Sequence, residues 1–170
     1  MVRRSSDAMD NNLRLGVVHI VEWLRASDVI RTGWDLFNEL GPLGIVSKPP
    51  VPVDFHRVET RSEFLRLLQQ FEAQYRQNRR TPVLRMETHG GKDGIGGDDG
   101  IEWAERMEAL IPLNRLTGVN LVVVLAACEG FYGVQMLQPD RRAAAFKGTI
   151  AHIESVNADR PTNSSPRINI

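Results

Sequence analysis

Val83-Leu-Arg-Met-Glu-Thr-His89-Gly-Gly91 decides the fold of this chain, together with Leu121-Val-Val-Val-Leu-Ala-Ala-Cys128-Glu-Gly130. Each stretch is a largely apolar run that passes directly into small residues, which predicts a buried β-strand followed by a tight turn. The first strand ends on a histidine, and the second ends on the only cysteine of the chain. Because a parallel sheet collects the carboxyl ends of its strands along one edge, a base and a nucleophile could meet there.

The rest of the chain alternates between strand and helix patterns. Strands are predicted over residues 13–23 and 51–59 and around Thr149–Ile153, and helices over 34–40, from Thr60 or Ser62 to Arg80, and over 101–116. Gly41-Pro42 is expected to end the first helix, and Trp34 and Trp103 are expected in the core. This order predicts an α/β fold with three layers, in which helices flank a mostly parallel central sheet.

The domain organisation follows from the same pattern. We expect a flexible N-terminus over residues 1–12, one domain over 13–156 and an irregular tail over 157–170. Little chain follows Cys128, so the C-terminal part of the fold is predicted to be short or incomplete.

Composition narrows the classes of function. The 21 basic residues balance the 21 acidic ones, so no overall field favours nucleic acid or an anionic membrane as a partner. A hydrophobic content of 42% is typical of a globular protein, and no secretory signal or membrane span is visible, so a reducing cytoplasm is the expected setting. A single cysteine excludes an internal disulfide and a multi-cysteine zinc site.

No cofactor or metal site is predicted. Asp93, Asp98 and Asp99 lack the ligand spacing of a helix–loop–helix calcium site, which favours a flexible, solvated loop. His19 lies within a core strand and is interpreted as a structural residue, whereas His56 is interpreted as a surface residue. Neither histidine is predicted to be a ligand.

The two strand ends have the groups for nucleophilic catalysis. A thiol attacks a carbonyl only as a thiolate, and His89 is the best candidate base for Cys128. The backbone N–H groups of Gly90 and Cys128 could stabilise the developing oxyanion. The alternative is that Ala-Ala-Cys at the end of an apolar strand serves packing alone, since cysteine is among the most buried residue types.

These motifs resemble the caspase-like superfamily of cysteine peptidases. The motifs follow the order of that superfamily: Thr88-His89-Gly90, a glycine-broken segment to Gly100, a helix, an apolar strand and then Ala127-Cys128-Glu129-Gly130. The Ala-Cys-Glu sequence is closest to the bacterial CHAT domains of the superfamily. The caspase motif Gln-Ala-Cys-x-Gly is matched except at Ala126, and the histidine precedes the cysteine by 39 residues (128 − 89), fewer than the about 50 typical of caspases.

The resemblance implies a function and roles for single residues. It implies a cysteine endopeptidase that cleaves protein substrates with Cys128 as nucleophile, His89 as base or acid, and Gly90 with the Cys128 amide as oxyanion hole, in a setting such as bacterial defence. A small hairpin near residues 95–100, and a substrate loop that includes Gly91, Asp93, Glu129 and Gly130, are also expected. Activity is expected to depend on a protein partner, a signal or self-association.

Two other classes of function compete with this one. The shortness of the chain after Cys128 favours a non-catalytic caspase-like module that binds or regulates another protein. A doubly wound nucleotide-binding domain is poorly supported, because no Gly-x-Gly-x-x-Gly follows the first strand and the Gly91–Gly100 loop lacks a Walker lysine.

Overall fold

The computed structural model describes residues 16–128 and the backbone of residues 148–151. The predictions for residues 1–12 and 157–170, and those for Glu129 and Gly130, lie outside the described residues.

Seven strands and three helices make up the described parts of the chain. The strands are β1 (Val17–Trp23), β2 (Val53–Arg57), β3 (Pro82–Gly90), β4 (Gly94–Gly96), β5 (Gly100–Glu102), β6 (Val122–Ala126) and β7 (Gly148–Ala151). The helices are α1 (Thr32–Val46), α2 (Arg61–Asn78) and α3 (Trp103–Leu116).

The sheet is mostly parallel, which confirms the predicted α/β class. Five strands run parallel in the order β2-β1-β3-β6-β7. Strands β4 and β5 form a hairpin that continues β3 in antiparallel fashion, with His89 opposite Gly96. The strands that carry His89 and Cys128 at their ends, β3 and β6, are direct neighbours.

The helices lie on both faces of the sheet. Neighbouring residues of a strand point to opposite faces, and two residues of β1 show which helix covers each face. His19 stacks on Phe71 of α2, whereas the Glu22 carboxylate accepts hydrogen bonds from the first turn of α1. The α2 and α3 face holds the hydrophobic core, which includes Trp23, Met86 and Leu125. Three layers therefore result.

Of the two caps predicted for α2, Thr60 and Ser62, the structure shows Thr60. The Thr60 side chain accepts a hydrogen bond from the Glu63 N–H, and the Glu63 carboxylate accepts one from the Thr60 N–H in return. This reciprocal capping box satisfies two donors that a helix start leaves without partners.

Helix α1 does not end at Gly41-Pro42, so that prediction is wrong. The helix continues through Pro42 to Val46. Its last turn is held from outside, because the Gly44 carbonyl accepts hydrogen bonds from the Val51 N–H and the Ser47 hydroxyl. These contacts, from the helix C-cap and from the segment before β2, stabilise the end of a helix in which Pro42 cannot donate a backbone hydrogen bond.

The prediction that both helical tryptophans lie in the core is half correct. Trp103 is fully buried, whereas Trp34 keeps 48% of its surface exposed. The Trp34 ring lies against Phe37 of α1 and Phe55 of β2, which leaves it half covered.

Candidate functional site

The ends of β3 and β6 bring His89 and Cys128 to the same edge and the same face of the sheet. The last paired positions are Glu87 and Ala126, and two further steps along both strands set His89 beside Cys128. The backbones touch here, since a Cβ atom added to Gly90 would lie 2.1 Å from the Cys128 carbonyl oxygen. Only glycine permits this approach.

His89 is bound by Asp28, a residue that the sequence analysis does not include in the site. The His89 Nε2 atom lies 2.7 Å from Asp28 Oδ2, and the Arg25 N–H donates to the same oxygen at 2.7 Å. The hydrogen bond with His89 lowers the pKa of the Asp28 carboxyl group, which keeps it anionic. An anionic partner at Nε2 favours a proton on that nitrogen, so that Nδ1 is the basic atom.

Two buried carboxylates hold the loop that carries Asp28. Glu22 and Glu87 are paired across β1 and β3, and both lie under the first turn of α1. Glu22 Oε2 accepts from the Gly33 N–H at 3.1 Å, and Glu87 Oε2 accepts from the Thr32 hydroxyl at 2.9 Å. Helix α1 therefore begins at a fixed place, and the loop between it and β1 is fixed at both ends.

The three aspartates of the hairpin after His89 are exposed to solvent, as expected, but two of them also anchor the hairpin. Asp98 accepts a hydrogen bond from the Ala26 N–H at 2.9 Å, and Asp99 accepts one from the Arg61 N–H at 2.8 Å. These aspartates thus tie the hairpin tip to the loop after β1 and to the start of α2.

A cavity of about 420 Å³ lies along this hairpin. His89 and Arg25 line it, together with residues 90, 91 and 93–102, so that Gly91 and Asp93 of the predicted substrate loop border the same space as the candidate base. Cys128 is half-buried and is not among the lining residues.

The predicted pairing of the thiol with the imidazole is not formed. Within residues 16–128, no hydrogen bond joins the Cys128 thiol to the His89 ring. The structure therefore juxtaposes the two strand ends without a formed thiol–imidazole pair.

A second cluster of polar groups lies at the β2 edge of the sheet. His19 Nδ1 is 3.2 Å from His56 Nε2 and 3.4 Å from Asp54 Oδ2. Burial lowers the pKa of His19 to about 3, with a further contribution from His56, whose own pKa is lowered by burial. His19 is a buried residue as expected, but its polar neighbours were not predicted, and His56 is half-buried where a surface position was expected.

Asp28 could have been found from the order of the strands. It lies in the loop that follows β1, and β1 is the neighbour of β3 in the sheet. A polar residue after an adjacent parallel strand is a candidate partner for His89 on topology alone. The sequence by itself does not show that β1 and β3 are adjacent, which is why the signal was missed.

No protein-family model and no curated protein matches this chain. In the part of the chain that the structure describes, none of the helices is both long and apolar enough to cross a membrane.

Proposed function

We propose that this protein is a cysteine endopeptidase of caspase-like type that cleaves protein substrates with Cys128 and His89. The observation that carries the proposal is the adjacent placement of the two strand ends, with Gly90 packed on the Cys128 carbonyl. The motifs around both residues resemble that superfamily, and the parallel sheet flanked by helices is compatible with its fold.

Asp28 supports a catalytic role for His89. A base works best when a second group fixes its orientation and its tautomer. Asp28 meets His89 Nε2 at 2.7 Å, and the loop that carries Asp28 is held by Glu22 and Glu87 through α1. A histidine that served packing alone would not need this anionic partner in a partly exposed position.

The reaction then proceeds through a thioester. His89 accepts the Cys128 proton, and the thiolate attacks the scissile carbonyl carbon to form a C–S bond. The oxyanion is stabilised by the Gly90 and Cys128 N–H groups, and the C–N bond breaks as His89 returns its proton to the leaving amine. Water hydrolyses the thioester, which releases the carboxylic acid and restores the thiol.

The cavity beside His89 is the proposed substrate site. Gly91 and Asp93 line it, and Glu129 and Gly130 follow the nucleophile in the chain. The missing thiol–imidazole hydrogen bond fits an enzyme whose site is completed by a partner, a signal or self-association. A reducing compartment such as the cytoplasm, in a context such as bacterial defence, would keep Cys128 as a thiol.

One observation favours a non-catalytic module as the second candidate. Cys128 does not line the cavity, so a peptide could bind there without reaching the thiol. Such a module would use the same hairpin to bind or regulate another protein.

The test is covalent labelling with a set of peptidyl acyloxymethyl ketones that differ in the residue before the reactive carbon. We expect at least one of them to form an adduct on Cys128, and we expect His89→Ala to slow its formation at least about 100-fold. Mass spectrometry locates the adduct, and Cys128→Ser is the matched control without a thiol.

The binding module predicts a different result. No member of the set would label Cys128, although a small disulfide reagent would show that the thiol is accessible. That result would contradict an endopeptidase that is active in the free chain, without a partner or a signal.

A further inference from the structure

His19, Asp54 and His56 form a cluster that the proposed peptidase chemistry does not use. The β1–β2 register sets His19 opposite Asp54, and His56 follows on the same face of β2. Their ligand atoms all lie within 4.8 Å of one another. From Leu84, which pairs with His19, the chain runs five residues along β3 to His89, roughly 17 Å away.

The distances match those between ligands of one metal ion. His19 Nδ1 lies 3.2 Å from His56 Nε2 and 3.4 Å from Asp54 Oδ2. Two ligand atoms on a tetrahedral zinc ion, each about 2.0–2.2 Å from the metal, are about 3.3–3.5 Å apart. Both measured spacings are therefore close to the edge length of such a site.

The surroundings orient His19 for coordination. The Phe71 ring stacks on the His19 ring at 4.0 Å and 13°, which covers the face of the imidazole and leaves its edge directed to Asp54 and His56. A metal ion binds in the plane of an imidazole ring, so this packing fixes the direction from which the ion is held. Phe71 also meets His56 edge-on at 5.1 Å, so one aromatic ring positions both histidines.

The site is accessible from solvent on one side. A cavity of about 230 Å³ is lined by His19, Asp54 and Phe71, among others. The Asp54 side chain is 48% exposed, whereas that of His19 is 2% exposed. An ion can therefore enter past the carboxylate, and water can fill the fourth position.

We infer that His19, Asp54 and His56 form a zinc site that ties the edge strand β2 to β1 beneath α2. Two imidazole nitrogens and one carboxylate oxygen are a ligand set that zinc takes in proteins. Zinc bound only by the folded chain stabilises that chain. The inference is independent of the proposed peptidase activity.

The test is zinc binding to the full chain, measured by competition with a chromophoric chelator after metal removal. We expect one zinc ion per chain, and we expect Asp54→Asn and His56→Gln each to weaken binding at least about tenfold. Both positions are partly exposed, so these variants are expected to fold, which circular dichroism checks. His89→Gln is the matched control and should bind zinc like the parent.

Cobalt supplies a second measurement that does not depend on activity. The cobalt-loaded chain should show visible bands of a four-coordinate ion without a thiolate charge-transfer band, since Cys128 is not a ligand. Failure of the parent to bind zinc, retention of binding in both ligand variants, or loss of binding in His89→Gln would overturn the inference. The histidines and the carboxylate would then be a hydrogen-bonded cluster and nothing more.

Discussion

The strand-end site and the edge cluster both contain a histidine next to an aspartate, but their surroundings differ. His89 has a side chain that is 39% exposed, and it meets Asp28 at 2.7 Å beside a cavity. His19 is 2% exposed and stacked on Phe71, and its nearest polar atoms belong to His56 and Asp54. The His89 side chain is open to solvent, and the His19 side chain is almost fully buried.

The difference in exposure follows from where each histidine lies in the parallel sheet. At the strand ends, loops supply Asp28 and the hairpin, and the groups stay within reach of solvent. In the middle of β1, the strand ladder and the Phe71 ring of α2 fix the position of His19, whose edge borders the small cavity beside β2. The predictions below test whether the two regions behave as separate units.

The largest expected effect comes from a methyl group at Gly90. In Gly90→Ala the new Cβ would lie 2.1 Å from the Cys128 carbonyl oxygen, so β3 and β6 must separate at their ends. We expect a loss of about 1–3 kcal/mol in the free energy of unfolding. Urea denaturation measures it.

Gly91→Ala is the matched control, because no atom lies within 4 Å of its added Cβ. For Gly91→Ala we expect the free energy of unfolding to change by no more than about 0.5 kcal/mol. Equal losses in the two variants would show that the strand ends are not packed as described.

A smaller effect is expected from the charge on Asp28. Asp28→Asn keeps the shape of the side chain but removes the anion that orients the His89 ring at Nε2, so His89 is less well placed to accept a proton from Cys128. We expect alkylation of Cys128 by iodoacetamide to slow about tenfold. Asp54→Asn makes the same chemical change in the edge cluster and should leave this rate unchanged. Slower alkylation of Cys128 in both variants would show that the two regions are coupled.

The smallest effect concerns stability at acid pH. Because the hydrogen bond from His89 lowers the Asp28 pKa below its ordinary value of 3.8, the folded chain binds this proton less readily than the unfolded chain does. The contribution of Asp28 is therefore complete above pH 3.8 and is lost as the pH falls through the lower folded-state value. Unfolding of the parent and of Asp28→Asn should differ above that window and converge below it. A difference that grows towards low pH would contradict this sign.

The fold was largely predictable, because its main signals are local. Apolar runs that pass into glycine or cysteine marked β3 and β6, and the apolar stripe after Thr60 and Ser62 marked α2. The continuation of α1 past Pro42 was not predictable, since the hydrogen bond from Val51 to Gly44 that supports it joins separate elements.

The candidate site was predictable only in part, for the same reason. His89 and Cys128 stand at the ends of recognisable strands, whereas Asp28 enters through a loop of no particular pattern. The cluster of His19, Asp54 and His56 depends on the register of β1 against β2. A shift of one residue would send Asp54 and His56 to the other face, and no local signal fixes that register.

The most direct test of the central claim is the rate of Cys128 alkylation by iodoacetamide against pH, in the parent and in His89→Ala. The chain has one cysteine, so the label reports on this thiol alone. A coupled pair predicts labelling that stays fast well below the free-thiol pKa of about 8.5, and a large slowing there in His89→Ala. Slow labelling with the same ordinary profile in both proteins would contradict a coupled pair of Cys128 and His89.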